Sequence, residues 1–565
     1  MPTSVPGRGP VDSQPLAQAP PAAGRAELAW AAALVVGAAA YLYGLGDPVI
    51  PSIGDEPLYL QIARATRASG RLLPLLSDTG ITNTKPPMLF WQGIVTSWAT
   101  SFDLFWLRLP NVVLTVATAA VAGLLALRLS GRRAAALLAA ALFLGFRSTI
   151  QHGRPFLTNP GETLFLFLPV LLLHGRAAPT LGLALACGAS FGAAALYKSF
   201  ALVVPGTLGL ALVLLHRSGG SPIALLRRWG AFLAGVAVLG VAVFLLLWPA
   251  LDPHPELVWS QFVLGENAVK LKLSGYLAGL VSGPYPVWRI WLAPLSNAGL
   301  VAPLVLGLAV DAWRRRRTLP AAEAELWLFL LAYLVFYTVP SQRQENYVLP
   351  TCVAVAALLA VRWDALGDGW LRIALVPLAL AGLALPLLEV VAARAVAGDT
   401  PWSPFAGVVG AVLGLLALAG VVRPRFGRAV LPALPLLALV AITAILSPFG
   451  RPFSAPTVAA LAGRTVLFPD RFGREHEHYR FMAPGVEVRG YGCDTHGLEC
   501  LPPPEAPAGT LAAAVTSTRR ALPGWEILED RAHLRQRHTP AELAAIARGD
   551  LTLLVDRLVI ARRLP

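Results

Sequence analysis

Charged side chains are scarce in this chain. Asp, Glu, Lys and Arg make up 14% of its 565 residues, against about a quarter in soluble domains, while 56% are hydrophobic. That shortage excludes an ordinary water-soluble enzyme with a charged, solvated surface, and a mean hydropathy of +0.62 places most of the chain in lipid. Cysteine is nearly absent too. The four cysteines form no Cys-x-x-Cys or metal-finger spacing, which excludes a zinc ribbon or a thioredoxin-type redox motif. Ionisable residues are almost missing from the middle of the apolar runs. Such residues mark pathways through a membrane, so their scarcity weighs against a transporter. The net charge of +14 and the pI near 10 reflect basic loops between apolar runs, which points to topology and anionic headgroups rather than to nucleic acid.

What the chain has in abundance is apolar runs. About 20 apolar residues span the hydrocarbon core as a helix, because a helix satisfies its own backbone polar groups where no water can. Runs near 28–46, 107–129, 134–151, 162–174, 179–197, 200–216, 229–249, 288–311, 324–340, 347–362, 371–392, 405–422 and 428–448 predict about 13 crossings. Residues 1–26, rich in Pro, Ala, Gly and Gln, read as a disordered cytoplasmic tail, and the first run lacks a small-residue cleavage site, so it is expected to be retained. With the N-terminus inside, Arg132-Arg133, Arg227-Arg228, Arg314 to Arg317 and Arg423-Pro424-Arg425 all fall on the cytoplasmic side. The opposite face collects a first loop over 47–106, the turn His152 to Glu162, Lys198, the loop Asp252 to Val287, the turn Ser341 to Tyr347 and everything after Pro448. Chemistry is expected there.

The fold class that follows is an all-α polytopic membrane protein, with a transmembrane domain over 27–449 and a small α/β periplasmic domain over 450–565. In the latter, Arg464 to Phe468, Val486 to Tyr491 and Leu551 to Ile560 read as alternating strands. Cys493 and Cys500, with six residues between them, are expected to pair in an outward compartment, whereas Cys187 and Cys352 fall in predicted spans and read as packing residues. Low lysine beside abundant Ala, Arg, Gly and Pro suggests a GC-rich bacterial genome, hence the inner membrane.

The first loop opens with Gly54-Asp55-Glu56-Pro57. Leu58, Tyr59, Ile62, Ala63 and Thr66 then recur against Gln61, Arg64 and Arg67, which predicts an amphipathic helix lying in the interface with Asp55 as a suitable N-cap. A second interfacial helix is expected from Pro87 through Phe90, Trp91 and Trp98, with Lys85 held before Pro86-Pro87 in a stiff, extended turn. These elements resemble the C-type glycosyltransferases related to protein O-mannosyltransferases and to the lipid A aminoarabinose transferase, a glycosyltransferase family 39-like group. The acidic pair, the amphipathic helix and the Lys-Pro-Pro element match Asp55-Glu56, Tyr59 to Arg67 and Lys85-Pro86-Pro87. Arg108-Leu109-Pro110 resembles the start of that family's second span, Leu196 to Ser199 its Thr-Lys-Gly turn, and Asn346 to Pro350 its Tyr-Ile/Leu-Leu-Pro segment. One departure stands out. Where the family carries an acid after Ala-Arg, this chain reads Gly153-Arg154 through Asn159, with Glu162 one helical turn later on nearly the same face.

The resemblance implies inverting transfer of a sugar from a polyprenyl (undecaprenyl) phosphate to a hydroxyl or phosphate acceptor on the periplasmic face. Asp55 is then the base, with Glu56 and Glu162 as further catalytic carboxylates, and Tyr59, Lys85, Arg154, Asn159, Lys198, Glu266, Asn267, Arg343 and Tyr347 as substrate-binding residues. Plainer roles stand beside these: Lys198 could snorkel at a span end, Arg343 sit in a solvated turn, Tyr347 belong to an aromatic belt and Glu162 favour a helix start. The implied partners are the lipid-linked donor, membrane lipids and an acceptor among lipid A, protein or polysaccharide; the sugar stays open, and a monomer without a cofactor is expected. His476 and His478 would share a face on a strand but have no further placed ligands, so no metal is expected. The rival readings are an inactive scaffold, motivated by Asn159, and a lipid-linked sugar transporter.

Overall fold

The computed structural model describes residues 23–48, 54–271, 276–395, 404–470, 474–493, 499–517, 521–535 and 538–565. The predicted disordered tail lies outside the described residues up to residue 22, and helix α1 (Ala23–Leu42) already includes its last positions. After α1 come α2 (Glu56–Ala68), the short hairpin β1 (Leu76–Ser77) and β2 (Gly80–Ile81), α3 (Met88–Ala99) and the long α4 (Leu104–Ser130). The side chain of Asp103 accepts the Trp106 N–H at 3.1 Å and starts α4; Gly131, at φ 68°, ends it in the left-handed conformation that glycine adopts without strain. α5 (Arg133–Gly145) and α6 (Arg147–Gly153) follow, then α7 (Asn159–Leu173) and α8 (Leu181–Tyr197).

Among the described residues, nine helices are long and apolar enough to cross a membrane, and α5 with α6, bent by 66° at their junction, makes a tenth if taken as one broken span. Three shorter apolar helices, Ala26–Leu42, α7 and α8, occupy positions where the sequence predicts further crossings. The protein is a multi-pass membrane protein. Its main core joins α4, α5, α7 and α8 to the helix Cys352–Arg362, nearly all of whose side chains are buried, including Cys352; Cys187 of α8 is buried in the same core. α7 and α8 meet closely because residue 161 is glycine: a Cβ there would lie 2.4 Å from the Tyr197 ring. Tyr197 is thereby held with its hydroxyl on Gln92 Oε1 at 2.7 Å.

The apolar face that the sequence predicts for α2 is covered by the protein itself. The apolar face of α2 (Leu60, Ile62, Ala63) is buried by Leu75, by Leu89, Phe90 and Ile94 of α3, by Leu104 and Leu107 of α4 and by Phe156. An amphipathic pattern asks only for something apolar to cover it, and here protein rather than lipid supplies the cover.

The C-terminal segment forms a five-stranded sheet from β3 (Thr465–Asp470), β4 (Glu487–Gly492), β5 (Leu511–Thr516), β6 (Trp525–Leu534) and β7 (Val555–Arg563), in the order β4-β3-β5-β7-β6. β3 runs parallel to β4 and β5, while β7 is antiparallel to β5 and β6. Two of the predicted strands are close to β3 and β4. The third begins later than expected, because Leu551–Leu554 is a 3₁₀ turn. His476 and His478 sit not on a strand but in the 3₁₀ turn Glu475–His478. Cys493 and Cys500 are joined in a disulfide with their Cα atoms 5.6 Å apart.

Candidate active site

A cavity of about 710 Å³ opens where the start of α2, the Lys85 turn, the junctions before α7 and after α8, the segment Val258–Leu271 and the turn 336–347 converge. Asp55, Tyr59, Lys85, Asn159, Lys198, Glu266, Asn267 and Tyr347 all line it, although they come from segments up to 292 residues apart (347 − 55). Phe200, Leu202, Val204, Phe262, Val263, Phe336 and Val339 supply apolar walls. The combination suits an amphiphile with a charged head.

Asp55 stands at the N-cap position of α2 but makes no capping bond. Its carboxylate instead accepts a long contact from the Tyr59 hydroxyl at 3.4 Å, which leaves most of its hydrogen-bonding capacity directed to the cavity. Lys85 Nζ lies 3.0 Å from Glu266 Oε2, and Lys270 Nζ lies 3.8 Å from the same oxygen. Lys198 Nζ is 2.7 Å from Glu162 Oε2 and 4.9 Å from the centre of the Tyr347 ring. Three ammonium groups thus face one cavity. Burial and the nearby charge of Lys85 and Lys198 hold the Lys270 ammonium below the usual lysine range, against the pull of Glu266 and Asp55. Asn267 is spent on architecture: its amide donates to the Phe262 carbonyl at 2.9 Å and its oxygen accepts the Ser199 hydroxyl at 2.8 Å.

Position 159 and Glu162 are coupled in space. Asn159 Nδ2 reaches Glu162 Oε2 at 3.4 Å, so Glu162, fully buried, stands behind Asn159 and Lys198 rather than on the cavity wall. Three other expected site residues are elsewhere. Glu56 is fully buried in a two-pronged ion pair with Arg108 (2.7 and 2.8 Å) and also accepts the Phe156 N–H at 2.7 Å. Burial alone would raise its carboxyl, but the Arg108 charge and bonds, His478 and the Phe156 N–H together hold it below the usual range. Arg154 donates to the carbonyls of Tyr41 and Tyr43 and to the Thr443 hydroxyl. Arg343, also fully buried, donates to the carbonyls of Thr338, Gly279 and Tyr285. None of the three lines the cavity, because each is held by partners that lie beneath or beside it.

Two cavity residues were not singled out from the sequence. Lys270 follows Glu266 by one helical turn in the loop 252–287, a spacing that could have been read as a pair. His152 lines the cavity with its Nδ1 donating to the Ser148 carbonyl at 3.0 Å, which leaves Nε2 as the acceptor in the neutral ring. Away from the cavity, Asp78, His476 and Glu477 place one possible metal-ligand atom each within 4.8 Å of one another, the one such group among the described residues. Arg64 already occupies that position, with Nη2 2.8 Å from Asp78 and Nε 2.6 Å from Glu477. A guanidinium between the carboxylates supplies the positive charge that an ion would bring.

The dolichyl-phosphate-mannose-protein mannosyltransferase family matches residues 55–248, a stretch that begins at Asp55 and takes in Lys85, Asn159 and Lys198. A curated relative from Pseudomonas aeruginosa, undecaprenyl phosphate-alpha-4-amino-4-deoxy-L-arabinose arabinosyl transferase, is 28% identical over 404 residues, 66% of this chain and 67% of its own length. Over these stretches the chain is similar to the C-type glycosyltransferases of this superfamily. The fold of this glycosyltransferase is similar to that of ArnT from Cupriavidus metallidurans, in the apo state (TM-score 0.57, 16% identity) and bound to undecaprenyl phosphate (TM-score 0.58, 18% identity). Each comparison covers 94% of this chain and 97% of the other, so the likeness includes the C-terminal sheet region as well as the membrane helices.

Proposed function

We propose that the chain moves a sugar from an undecaprenyl-phosphate-type donor to an acceptor on the periplasmic face of the bacterial inner membrane, with inversion at the anomeric carbon. The observation that carries this reading is the convergence of Asp55 with Lys85, Lys198 and Lys270 on one otherwise largely apolar cavity. The polyprenyl chain lies along the apolar walls and the phosphate among the ammonium groups. At an effective dielectric of about 20, a cation 4 Å from a phosphate charge contributes about 4 kcal/mol, several times the about 1 kcal/mol of a neutral hydrogen bond. Stabilising the leaving phosphate is therefore the lysines' task.

Asp55 takes the proton from an acceptor hydroxyl as its oxygen forms the bond to the anomeric carbon. The bond from that carbon to the phosphate oxygen breaks, the electron pair leaves on the polyprenyl phosphate, and the proton on Asp55 is released to solvent. A phosphate acceptor, already ionised, would need no base. Glu162 holds Lys198 in place. In this reading the N-terminus faces the cytoplasm and the sheet domain the periplasm, a direction supported by the basic loops.

The test uses membranes expressing wild type, Asp55→Asn, Lys85→Ala and Glu162→Gln, with radiolabelled polyprenyl-phosphate sugars as donors and whole-envelope extract as acceptor. Label should appear with wild type, fall by about 10²-fold or more with Asp55→Asn, and fall less with Glu162→Gln. Wild-type protein that is folded yet transfers no label from any donor would overturn the reading.

A further inference from the structure

The C-terminal domain grips the helix that begins beside Asp55. The 3₁₀ turn Glu475–His478 is set firmly on its sheet: the Glu475 N–H donates to Asp470 Oδ1 at 3.1 Å, and His476 Nδ1 meets Asp470 Oδ2 at 3.0 Å. His476 also lies flat over residue 490, where a Cβ would fall 2.5 Å from Nδ1 and only glycine leaves room. From this turn and the short helix Tyr479–Met482 after it, three contacts reach the first loop. Glu477, fully buried, accepts Arg64 Nε at 2.6 Å and Nη2 at 3.3 Å. His478 Nε2 lies 3.7 Å from Glu56 Oε2, and Phe481 stacks on Phe102 at 6.2 Å between ring centres. Glu56 and Arg64 belong to α2, so the domain packs against that helix at its first turn and bonds it two turns on, at Arg64.

Asp55 needs such a hold. It precedes α2 with no capping bond, and its one side-chain hydrogen bond among the described residues is the long one from Tyr59, itself on α2, so its direction follows the placement of the helix. We propose that Glu477 is a positioning residue for the transfer reaction, fixing α2 through Arg64 so that Asp55 is directed at the acceptor proton; this rests on the reading of Asp55 as the base. A shift of about 1 Å at a reacting group costs about 10²-fold in rate, so loss of the grip is felt in turnover. Donor binding rests on Lys85, Lys198 and Lys270, none of which is on α2.

The test compares full-length wild type with Glu477→Gln, Arg64→Lys, Asp55→Asn and Asp556→Asn, the last breaking an ion pair with Arg535 internal to the domain. Glu477→Gln is expected to lower kcat per folded molecule by about tenfold or more with donor KM within about twofold, and to speed amide exchange over 56–68. Arg64→Lys, which keeps the charge but not the fork, falls between it and wild type. Asp556→Asn lowers the melting temperature and leaves kcat per folded molecule unchanged. Wild-type kcat in both Glu477→Gln and Arg64→Lys, or unchanged exchange over 56–68, overturns the proposal. Full activity of Asp55→Asn overturns the base and with it the need for positioning, while the exchange data still report whether the domain holds α2.

Discussion

The cations of this molecule fall into two groups with opposite fates. Beneath and beside the cavity, Arg108, Arg154 and Arg343 are fully buried, and most of their donors go to backbone carbonyls, a hydroxyl and one carboxylate. Around the cavity, Lys85, Lys198 and Lys270 keep part of their surface open, and among the described residues each forms an ion pair with one carboxylate. The difference follows from chemistry. A guanidinium offers five donors in a rigid fork and suits a fixed cluster of carbonyls, whereas an ammonium is a compact charge on a flexible stem that can turn from a carboxylate to an incoming phosphate. Arginine builds the vessel and lysine meets its contents.

The contrast breaks most severely at Arg108. Arg108→Met leaves the Glu56 carboxylate and the carbonyls of Leu45 and Asp47 buried without their partner, and should cost about 3–5 kcal/mol of stability, seen as loss of folded protein by fluorescence-detected size exclusion. Adding Glu56→Met should recover part of the loss, since removing both charges is far milder than stranding one. Lys85→Ala should do the reverse: folded yield near wild type, with donor kcat/KM down by about 10²-fold, checked by steady-state transfer with purified donor. If the arginine variant folds and the lysine variant does not, the division of labour fails.

A weaker break lies at the junction between the sheet domain and the first loop. Burial pushes the His478 imidazole down to about 4 from an ordinary 6.5, with Arg108 adding to the effect and Glu56 and Glu477 opposing it. The unfolded chain then takes up this proton first, so stability is full above pH 6.5 and is lost as pH falls toward 4. Glu56, held below its ordinary 4.5, adds its own loss only below that value, so of these two groups only the imidazole acts between 6.5 and 4.5. By pH 5 the loss amounts to about 2 kcal/mol. Melting temperatures of wild type and His478→Gln at pH 7.5 and pH 5 should converge at the lower pH if this is right.

How much of this was legible in the sequence depends on what each residue answers to. Asp55, Lys85, Asn159 and Lys198, which the family resemblance singled out, all line the cavity, and their short motifs carry that resemblance without long-range information. The arginines were not legible in that way: whether a guanidinium near a loop meets substrate or backbone carbonyls depends on chain segments 61 to 289 residues away, as with Arg108 on Asp47 and Arg154 on Thr443. Strand β5 was overlooked for another reason. Its sequence Leu-Ala-Ala-Ala-Val-Thr is buried at every position, so it shows no alternation. The α2 pattern announced an apolar face but could not say whether lipid or protein would cover it.

The finest discrimination is at Lys270, where one substitution turns a member of the lysine group into an arginine. Because burial and the neighbouring Lys85 and Lys198 lower its ammonium, Lys270 gives up its proton at a pH below the 10.5 of an ordinary lysine. Its charge is present at neutral pH and is lost as pH rises through that lowered value, so donor KM should climb on the alkaline side earlier than a normal lysine would allow. Lys270→Arg keeps its charge throughout this range. The variant should match wild type near neutral pH, and its donor KM should stay flat where that of wild type rises, measured from about pH 7.5 up to about 10.5. A parallel rise in both proteins would assign the alkaline limb to another group and return Lys270 to the structural cations.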